Sequence, residues 1–349
     1  MMAGAAQGMR CRVACLDVWA PAVREVVSRV APLELELHFA QSYEQSHQHE
    51  LARDAEVLLP GWAAVSEAML AQAPRLRLIQ KWGIGVDRID VEAVRRRGLP
   101  LAIAAGSNAA PVAELTVALM LAVYRRITYV NRVMRQGQWP KAEMRESCLQ
   151  IAGKTVGLVG FGNIGRMVAR RLAGFDAQII YFDARAAEPE IEARLGVRRV
   201  TLAELLRMSD IVSLHAPATL QTARMIDAAA IAAMKDGAVL INTARGELVD
   251  EGALHAALVV GKLRGAGLDA FDPEPPAADN PLLQLDQVVV TPHAGGGVFD
   301  NVEHVAHHVL GNITRFLRGQ PLAPADVVLA AGDVNLAAGN VNLAAQRHG

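Results

Sequence analysis

Residues 155–165 narrow the possible folds more than any other stretch of this chain. An apolar run, Thr155–Val159, leads into Gly160-Phe161-Gly162-Asn163-Ile164-Gly165, and an amphipathic helical pattern follows at 167–172. A bare GxGxxG is a weak signal, but one that ends a strand and opens a helix marks a parallel βα unit built around a dinucleotide. Gly160 allows the tight turn, Gly162 lets backbone approach a pyrophosphate, and Gly165 lets helix and strand pack closely. The helix N-terminus then offers unpaired N–H groups and a partial positive charge to phosphate. Asp183 ends the next strand, eighteen residues after Gly165. A carboxylate there accepts hydrogen bonds from ribose hydroxyls and repels a 2′-phosphate, which favours NAD over NADP. Arg185, two residues on, is the one nearby group that favours the phosphate.

The same alternation runs through most of the chain. Short apolar runs at 12–16, 33–37, 55–59, 76–79 and 99–103 are separated by helix-like stretches. A long helical pattern at 111–135 follows, then a second series of strands at 155–159, 178–182, 211–214, 238–241, 265–268 and 288–290. A last amphipathic helix is expected at 300–317. Strands alternating with helices imply parallel sheets covered on both faces, and 349 residues suit two domains. Residues after about 324 are rich in Ala, Val, Gly and Asn, and VNLAA occurs at 334–338 and 341–345. This stretch reads as a poorly ordered extension.

Composition excludes several function classes. A net charge of −1 offers no basic field for nucleic acid or an anionic membrane surface. No apolar run approaches the ~20 residues a bilayer span requires. The first nine residues lack the apolar core of a signal peptide, and three cysteines, Cys11, Cys15 and Cys148, suit a reducing cytoplasm. They read as buried small hydrophobes rather than catalytic thiols.

Three later strands each lead directly into chemistry-bearing residues: Asn242-Thr243-Ala244-Arg245-Gly246, Asp269-Ala270-Phe271-Asp272-Pro273-Glu274, and Thr291-Pro292-His293-Ala294-Gly295. Ligands in open α/β sheets bind outside the carboxyl ends of the strands, so an Arg, a Glu and a His are expected together there. Reduction of a 2-keto acid calls for those three types. Arg245 supplies a planar, permanently charged fork for a carboxylate. His293 exchanges a proton with the carbonyl oxygen. A carboxylate such as Glu274 beside it favours imidazolium and fixes the ring.

The chain resembles the D-2-hydroxyacid dehydrogenase family, which includes phosphoglycerate, D-lactate and hydroxypyruvate/glyoxylate enzymes. The resemblance rests on KWGIGVDRID (81–90), NAAPVAELT (108–116), GKTVGLVGFGNIG (153–165), DIVSLHAPATLQT (210–222), INTARGELVDEGAL (241–254), GLDAFDPEP (267–275) and TPHAGG (291–296). It implies an α/β fold of two doubly wound parallel-sheet domains, a Rossmann NAD-binding domain inserted into a flavodoxin-like substrate domain. The substrate domain would comprise 10–106 and the helix region 295–324, the NAD-binding domain 107–294, with 325–349 as the tail. It implies Arg245, Glu274 and His293 as the catalytic trio. NAD would meet Gly160, Gly162, Asn163, Ile164, Gly165, Asp183, His215, Ala216, Pro217, Thr222, Thr243, Ala244 and Asp269. A small 2-keto or 2-hydroxy acid would meet Lys81, Trp82, Gly83, Ile84 and Gly85, with Asn108 at the hinge. The family also implies a homodimer, while the cysteine count and the net charge lead to the expectation of a cytoplasmic protein with no metal, nucleic-acid or membrane partner. Phosphoglycerate dehydrogenases often carry Arg where Lys81 stands, so Lys81 and Trp82 point to a substrate with a second polar or anionic group.

Two other readings share the fold. An NAD-sensing interaction protein, as in some transcriptional corepressors, would show a basic patch or a long disordered tail, and neither is evident. Formate enzymes of this fold carry Gln at the position of Glu274. His304, His307 and His308, together on one helix, lack the partners of a metal site.

Overall fold

The computed structural model describes residues 10–333 and divides them into two compact units, one formed by 10–108 with 298–333, the other by 109–297. In the first unit, β1 (Cys11–Cys15), β2 (Leu35–Phe39), β3 (Val57–Leu59), β4 (Leu78–Gln80) and β5 (Leu101–Ala102) are parallel, in the order β5-β4-β3-β1-β2. This is the flavodoxin-like arrangement. Side chains alternate across the sheet as the period of two requires. Ala14, Leu58, Ile79 and Leu101 enter one core, while Val13, Cys15, Val57, Leu59, Leu78 and Ala102 enter the other. The helix Val302–Leu317 closes that second core with Val305, Ala306, Val309, Leu310 and Ile313. Each fully buried aliphatic side chain contributes roughly 1.5–3 kcal/mol, which is why the C-terminal helix belongs to the N-terminal sheet.

In the second unit, β6 (Thr155–Val159), β7 (Gln178–Phe182), β8 (Val197–Arg199), β9 (Ile211–Leu214), β10 (Ala238–Asn242), β11 (Leu263–Leu268) and β12 (Val288–Val290) form a parallel sheet ordered β12-β11-β10-β9-β6-β7-β8. The order reverses between β6 and β9, which places the glycine-rich turn at the switch point where dinucleotides bind. Strands β9 and β10 are buried at every position, as parallel strands covered on both faces must be.

Three expectations need correction. The helical pattern at 111–135 forms two helices, Ala109–Tyr124 and Ile127–Arg135. The break falls at Arg126, with φ +50°, whose guanidinium is drawn to Glu143 at 2.6 Å and lies 4.0 Å over the Tyr129 ring. The strand β8 was not anticipated, because its Val-Arg-Arg buries one side chain at a sheet edge. The tail reading does not hold for residues up to 333. β13 (Val327–Leu329) pairs antiparallel with β5, and the Asp326 carboxylate before it, 4% exposed, accepts from the Ala105 N–H (2.8 Å), Asn312 Nδ2 (3.2 Å) and His308 Nε2 (2.8 Å). The VNLAA repeats lie outside the described residues.

Cys11 and Cys15 lie in one core, where burial pushes both thiols upward, Cys11 to about 11. Among the described residues no helix is long and apolar enough to cross a membrane, and no cluster of three metal-ligating side chains is assembled.

Candidate active site

The glycine loop of the second unit is shaped by what each glycine faces. Gly160 has φ +95°, and a β-carbon there would lie 2.6 Å from the backbone of His215, just past β9. A β-carbon on Gly165 would strike the Gly160 carbonyl, whereas the same position on Gly162 has nothing within 4 Å. The loop is packed tight behind and open in front. The helix Asn163–Leu172 starts at Gly162 with no side-chain cap, leaving its first-turn N–H groups to an anion. Asp183 does more than end β7. Its Oδ2 accepts the Phe161 N–H at 2.7 Å and its Oδ1 the Arg185 N–H at 2.9 Å, so it braces the glycine loop. Arg199, which the sequence did not single out, donates to the carbonyls of Asp183 (2.8 Å) and Ala184 (3.3 Å).

Other residues expected at the cofactor are engaged locally. The Thr222 hydroxyl accepts the Thr219 N–H (2.8 Å) and donates to the Pro217 carbonyl (2.7 Å), closing the turn after His215-Ala216-Pro217. The Thr243 hydroxyl meets that of Thr116 at 2.8 Å inside the unit, beside the buried Ala244. His215 Nε2 lies 3.0 Å from Ser213 Oγ, and its Nδ1 is sealed from solvent with no hydrogen-bond partner among the described residues. Burial pushes this histidine down to about 3.

At the ends of β10, β11 and β12 the geometry is tighter than the sequence revealed. Asn242, 1% exposed, accepts the Ala244 N–H at Oδ1 (3.0 Å) and donates from Nδ2 to the Arg245 carbonyl (2.8 Å), so it moulds the turn that carries Arg245. The Arg245 Nη1 donates to the Ala244 carbonyl at 2.7 Å. Gly246 has no room for a β-carbon because the Phe271 and Asp272 backbone lies against it. Two strand-end turns are thereby locked together. Both Glu274 carboxylate oxygens reach His293 Nδ1, at 2.8 and 3.0 Å, and Oε1 also accepts the Phe271 N–H at 3.0 Å. The two side chains are 18% and 34% exposed, so the pair sits at the surface of the unit rather than in its core.

Asp269 stands behind His293. Its carboxylate, in a residue 3% exposed, accepts from Thr291 Oγ1 (2.6 Å), the Ala294 N–H (2.8 Å) and the Gly295 N–H (2.9 Å). It therefore fixes the turn on both sides of the histidine. Glu251 does the same for the other partner, accepting the Asp272 N–H at 3.0 Å and Asn280 Nδ2 at 2.8 Å. Both roles were hidden in the sequence, since the partners, backbone N–H groups with one side chain each, lie on distant turns.

The residues expected at the substrate from the first unit follow β4. Lys81 donates its ammonium to the carbonyls of Gly61 and, at 3.2 Å, Trp82. The Trp82 ring packs against Trp19, centroids 4.7 Å apart. Gly83 holds φ +106°, a conformation open to glycine, and Ile84 and Gly85 are half-buried. Asn108 keeps its buried Oδ1 without a hydrogen-bond partner among the described residues.

A family model described as D-isomer specific 2-hydroxyacid dehydrogenase, NAD binding domain, matches residues 117–295. The chain belongs to this family. As a D-2-hydroxyacid dehydrogenase it is an enzyme of the NAD-dependent class. It is 40% identical over 250 residues to a glyoxylate reductase of Korarchaeum cryptofilum, covering 71% of this chain and 75% of that one. It is 39% identical over 268 residues to a D-3-phosphoglycerate dehydrogenase of Mycobacterium tuberculosis, covering 76% of this chain but only half of that one. A D-lactate dehydrogenase of Aquifex aeolicus, solved with NAD and lactic acid, superimposes with a TM-score of 0.78 at 26% identity, over 91% of this chain and 99% of that one. The open ground over Gly162, the uncapped helix start and the Asp183 carboxylate fit such a dinucleotide.

Proposed function

We propose that this dehydrogenase reduces a small 2-keto acid to the D-2-hydroxy acid with NADH, and catalyses the reverse reaction with NAD. The observation that carries the reading is the Glu274–His293 pair, a carboxylate seated on one nitrogen of an imidazole at 2.8 Å. Bound NADH supplies the hydride that adds to the carbonyl carbon, C2. The carbonyl oxygen then needs a proton, and His293, held at Nδ1 by Glu274, delivers it from Nε2. In the reverse direction the same nitrogen takes the proton from the alcohol. Arg245 presents a guanidinium fork to the substrate carboxylate and polarises the carbonyl. The backbone at Gly83, Ile84 and Gly85 supplies further hydrogen bonds to that carboxylate, with Asn108 at the hinge. Asp183 sets the preference for NAD over NADP.

Lys81 directs the substrate choice toward a keto acid with a second polar or anionic group, such as hydroxypyruvate or phosphohydroxypyruvate. Its ammonium is anchored on two carbonyls rather than spread into solvent. The assembly and compartment we propose are a homodimer in the cytoplasm; a monomeric mass by light scattering would rule out the first. A panel of glyoxylate, pyruvate, hydroxypyruvate, phosphohydroxypyruvate and 2-ketoisocaproate, each with NADH and NADPH, tests the reading. Turnover of none of them would sink it, and the highest kcat/KM on 2-ketoisocaproate would refute the part given to Lys81.

A further inference from the structure

The cation at Lys81 does not stand alone. Three neighbouring strands of the first sheet, β1, β3 and β4, end at the same edge, and each contributes one member of a connected group. Asp17 follows β1, Gly61 to Ala63 follow β3, and Lys81 follows β4. Asp17 is 3% exposed, and its carboxylate accepts from three successive backbone N–H groups: Gly61 at Oδ2, Trp62 at Oδ1 (2.6 Å) and Ala63 at Oδ1 (2.9 Å). The Gly61 carbonyl in turn accepts the Lys81 ammonium.

One peptide unit therefore sits between two charges. The Gly61–Trp62 peptide is planar, with its C=O and N–H pointing in opposite directions. Its N–H points at the Asp17 carboxylate and its C=O at the Lys81 ammonium. Each charge strengthens the hydrogen bond at the other end, because chains of hydrogen bonds polarise one another. The lysine backbone is pinned as well, with the Lys81 N–H on the Ala102 carbonyl and the Trp82 N–H on the Pro60 carbonyl, both at 2.8 Å. A lysine side chain ordinarily retains several rotamers and loses their entropy on binding. Here that ordering is already present.

We propose that Asp17 is a positioning residue: through the Gly61–Trp62 peptide it fixes the Lys81 ammonium and so sets selectivity for substrates with a second anionic group. The proposal rests on the reading of Lys81 given above, and deepens it. Ligands of open α/β sheets gather at this edge, so a fixed positive point here discriminates by charge at a set distance rather than by general attraction.

The test uses the full chain with Asp17→Asn, which keeps the shape, removes the charge and leaves one acceptor oxygen where two now receive N–H groups. A second variant, Gly61→Ala, leaves every charge in place but puts a methyl carbon 2.8 Å from Asp17 Oδ2. Two readouts are taken on each, with thermal melting as the check on folding. The first is the ratio of kcat/KM for phosphohydroxypyruvate to that for glyoxylate. It should fall roughly tenfold, mostly through KM, as expected when a binding group is misplaced. On a Lys81→Met background Asp17→Asn should lower the ratio no further, since residues acting through one another are not additive. The second readout needs no substrate. Acetylation of Lys81 by acetic anhydride, followed by mass spectrometry with Lys154 as internal reference, should be several-fold faster in both variants. Unchanged Lys81 reactivity overturns the proposal, as does an equal loss on both substrates, which would make Asp17 a brace for its loop alone. If Lys81→Met itself leaves the ratio untouched, the reading of Lys81 as a substrate contact has failed, while acetylation still reports whether Asp17 positions it.

Discussion

His293 carries its ring on a backbone with φ +52°, a region that side-chain-bearing residues rarely occupy and that persists only where the surroundings impose it. Asp269 imposes it, through three hydrogen bonds to the flanking residues. Replacing His293 with Ala should lower kcat by ~10²–10⁴, the loss typical of a positioned acid or base, while NADH binding measured by fluorescence stays near normal. A variant with wild-type kcat would remove His293 from the proton path. At the other end of the unit, Asp183→Ala should weaken NADH roughly 10- to 100-fold, since hydrogen bonds to a charged group are lost, and should relax discrimination against NADPH. The wild type preferring NADPH would instead assign the pocket to Arg185 and Arg199. At this scale the sequence located three candidate side chains, which the structure has just past the ends of β10, β11 and β12. Arg245, Glu274 and His293 stand at strand ends, where a parallel sheet gathers ligands. It could not show that Asn242, Asp269 and Glu251 brace those turns, because a carboxylate or amide that binds backbone leaves no pairing pattern in residue types. Asp17 was silent for the same reason.

Among the elements, apolar runs located the central strands because burial on both faces demands continuous aliphatic sequence. They failed at two edge strands, β8 and β13. β8 buries only one side chain, and β13 opens a stretch whose Ala-Val-Gly composition reads as disorder. The signal that would have found β13 is a single buried aspartate, Asp326, which binds the chain to the helix Val302–Leu317 through His308 and Asn312. The break at Arg126 was equally unreadable, with neither Gly nor Pro to mark it. Asp326→Ala should therefore release β13 from the edge of β5 and cost about 2–4 kcal/mol, because three donors lose their acceptor. Urea unfolding and amide exchange at Leu101 and Ala102 would measure it. Unaltered protection there would mean that β13 adds nothing to the sheet.

Across the whole molecule, one group gives stability a defined pH dependence. His215, held down to about 3 by burial against 6.5 when exposed, stays neutral in the folded chain where the unfolded chain is protonated. Between those two values the unfolded state binds the extra proton, so stability falls as pH drops below 6.5 and is unaffected above it. The slope from this group is at most about 1.4 kcal/mol per pH unit. His215→Gln should flatten the decline in urea-derived stability between pH 6.5 and 5, and an unchanged slope would show that other groups govern it.

The discontinuous first unit also has a consequence on the ribosome. Residues 109–297 are contiguous and become complete as they emerge, whereas the sheet of residues 10–108 lacks the helix Val302–Leu317 and its last strand until residues 317 and 329 are made. At ~5–20 residues per second, roughly 10–45 s separate β5 from β13. Throughout that interval the face bearing Val13, Val57, Leu59 and Leu78 has no Val305, Val309 or Ile313 against it. Such a nascent face is a binding site for chaperones, and a stalled chain would present it indefinitely. A chain terminated after Gly297 should yield a protease-resistant 109–297 fragment while residues 10–108 are degraded. Survival of both would mean that the early sheet can wait unaided for its cover.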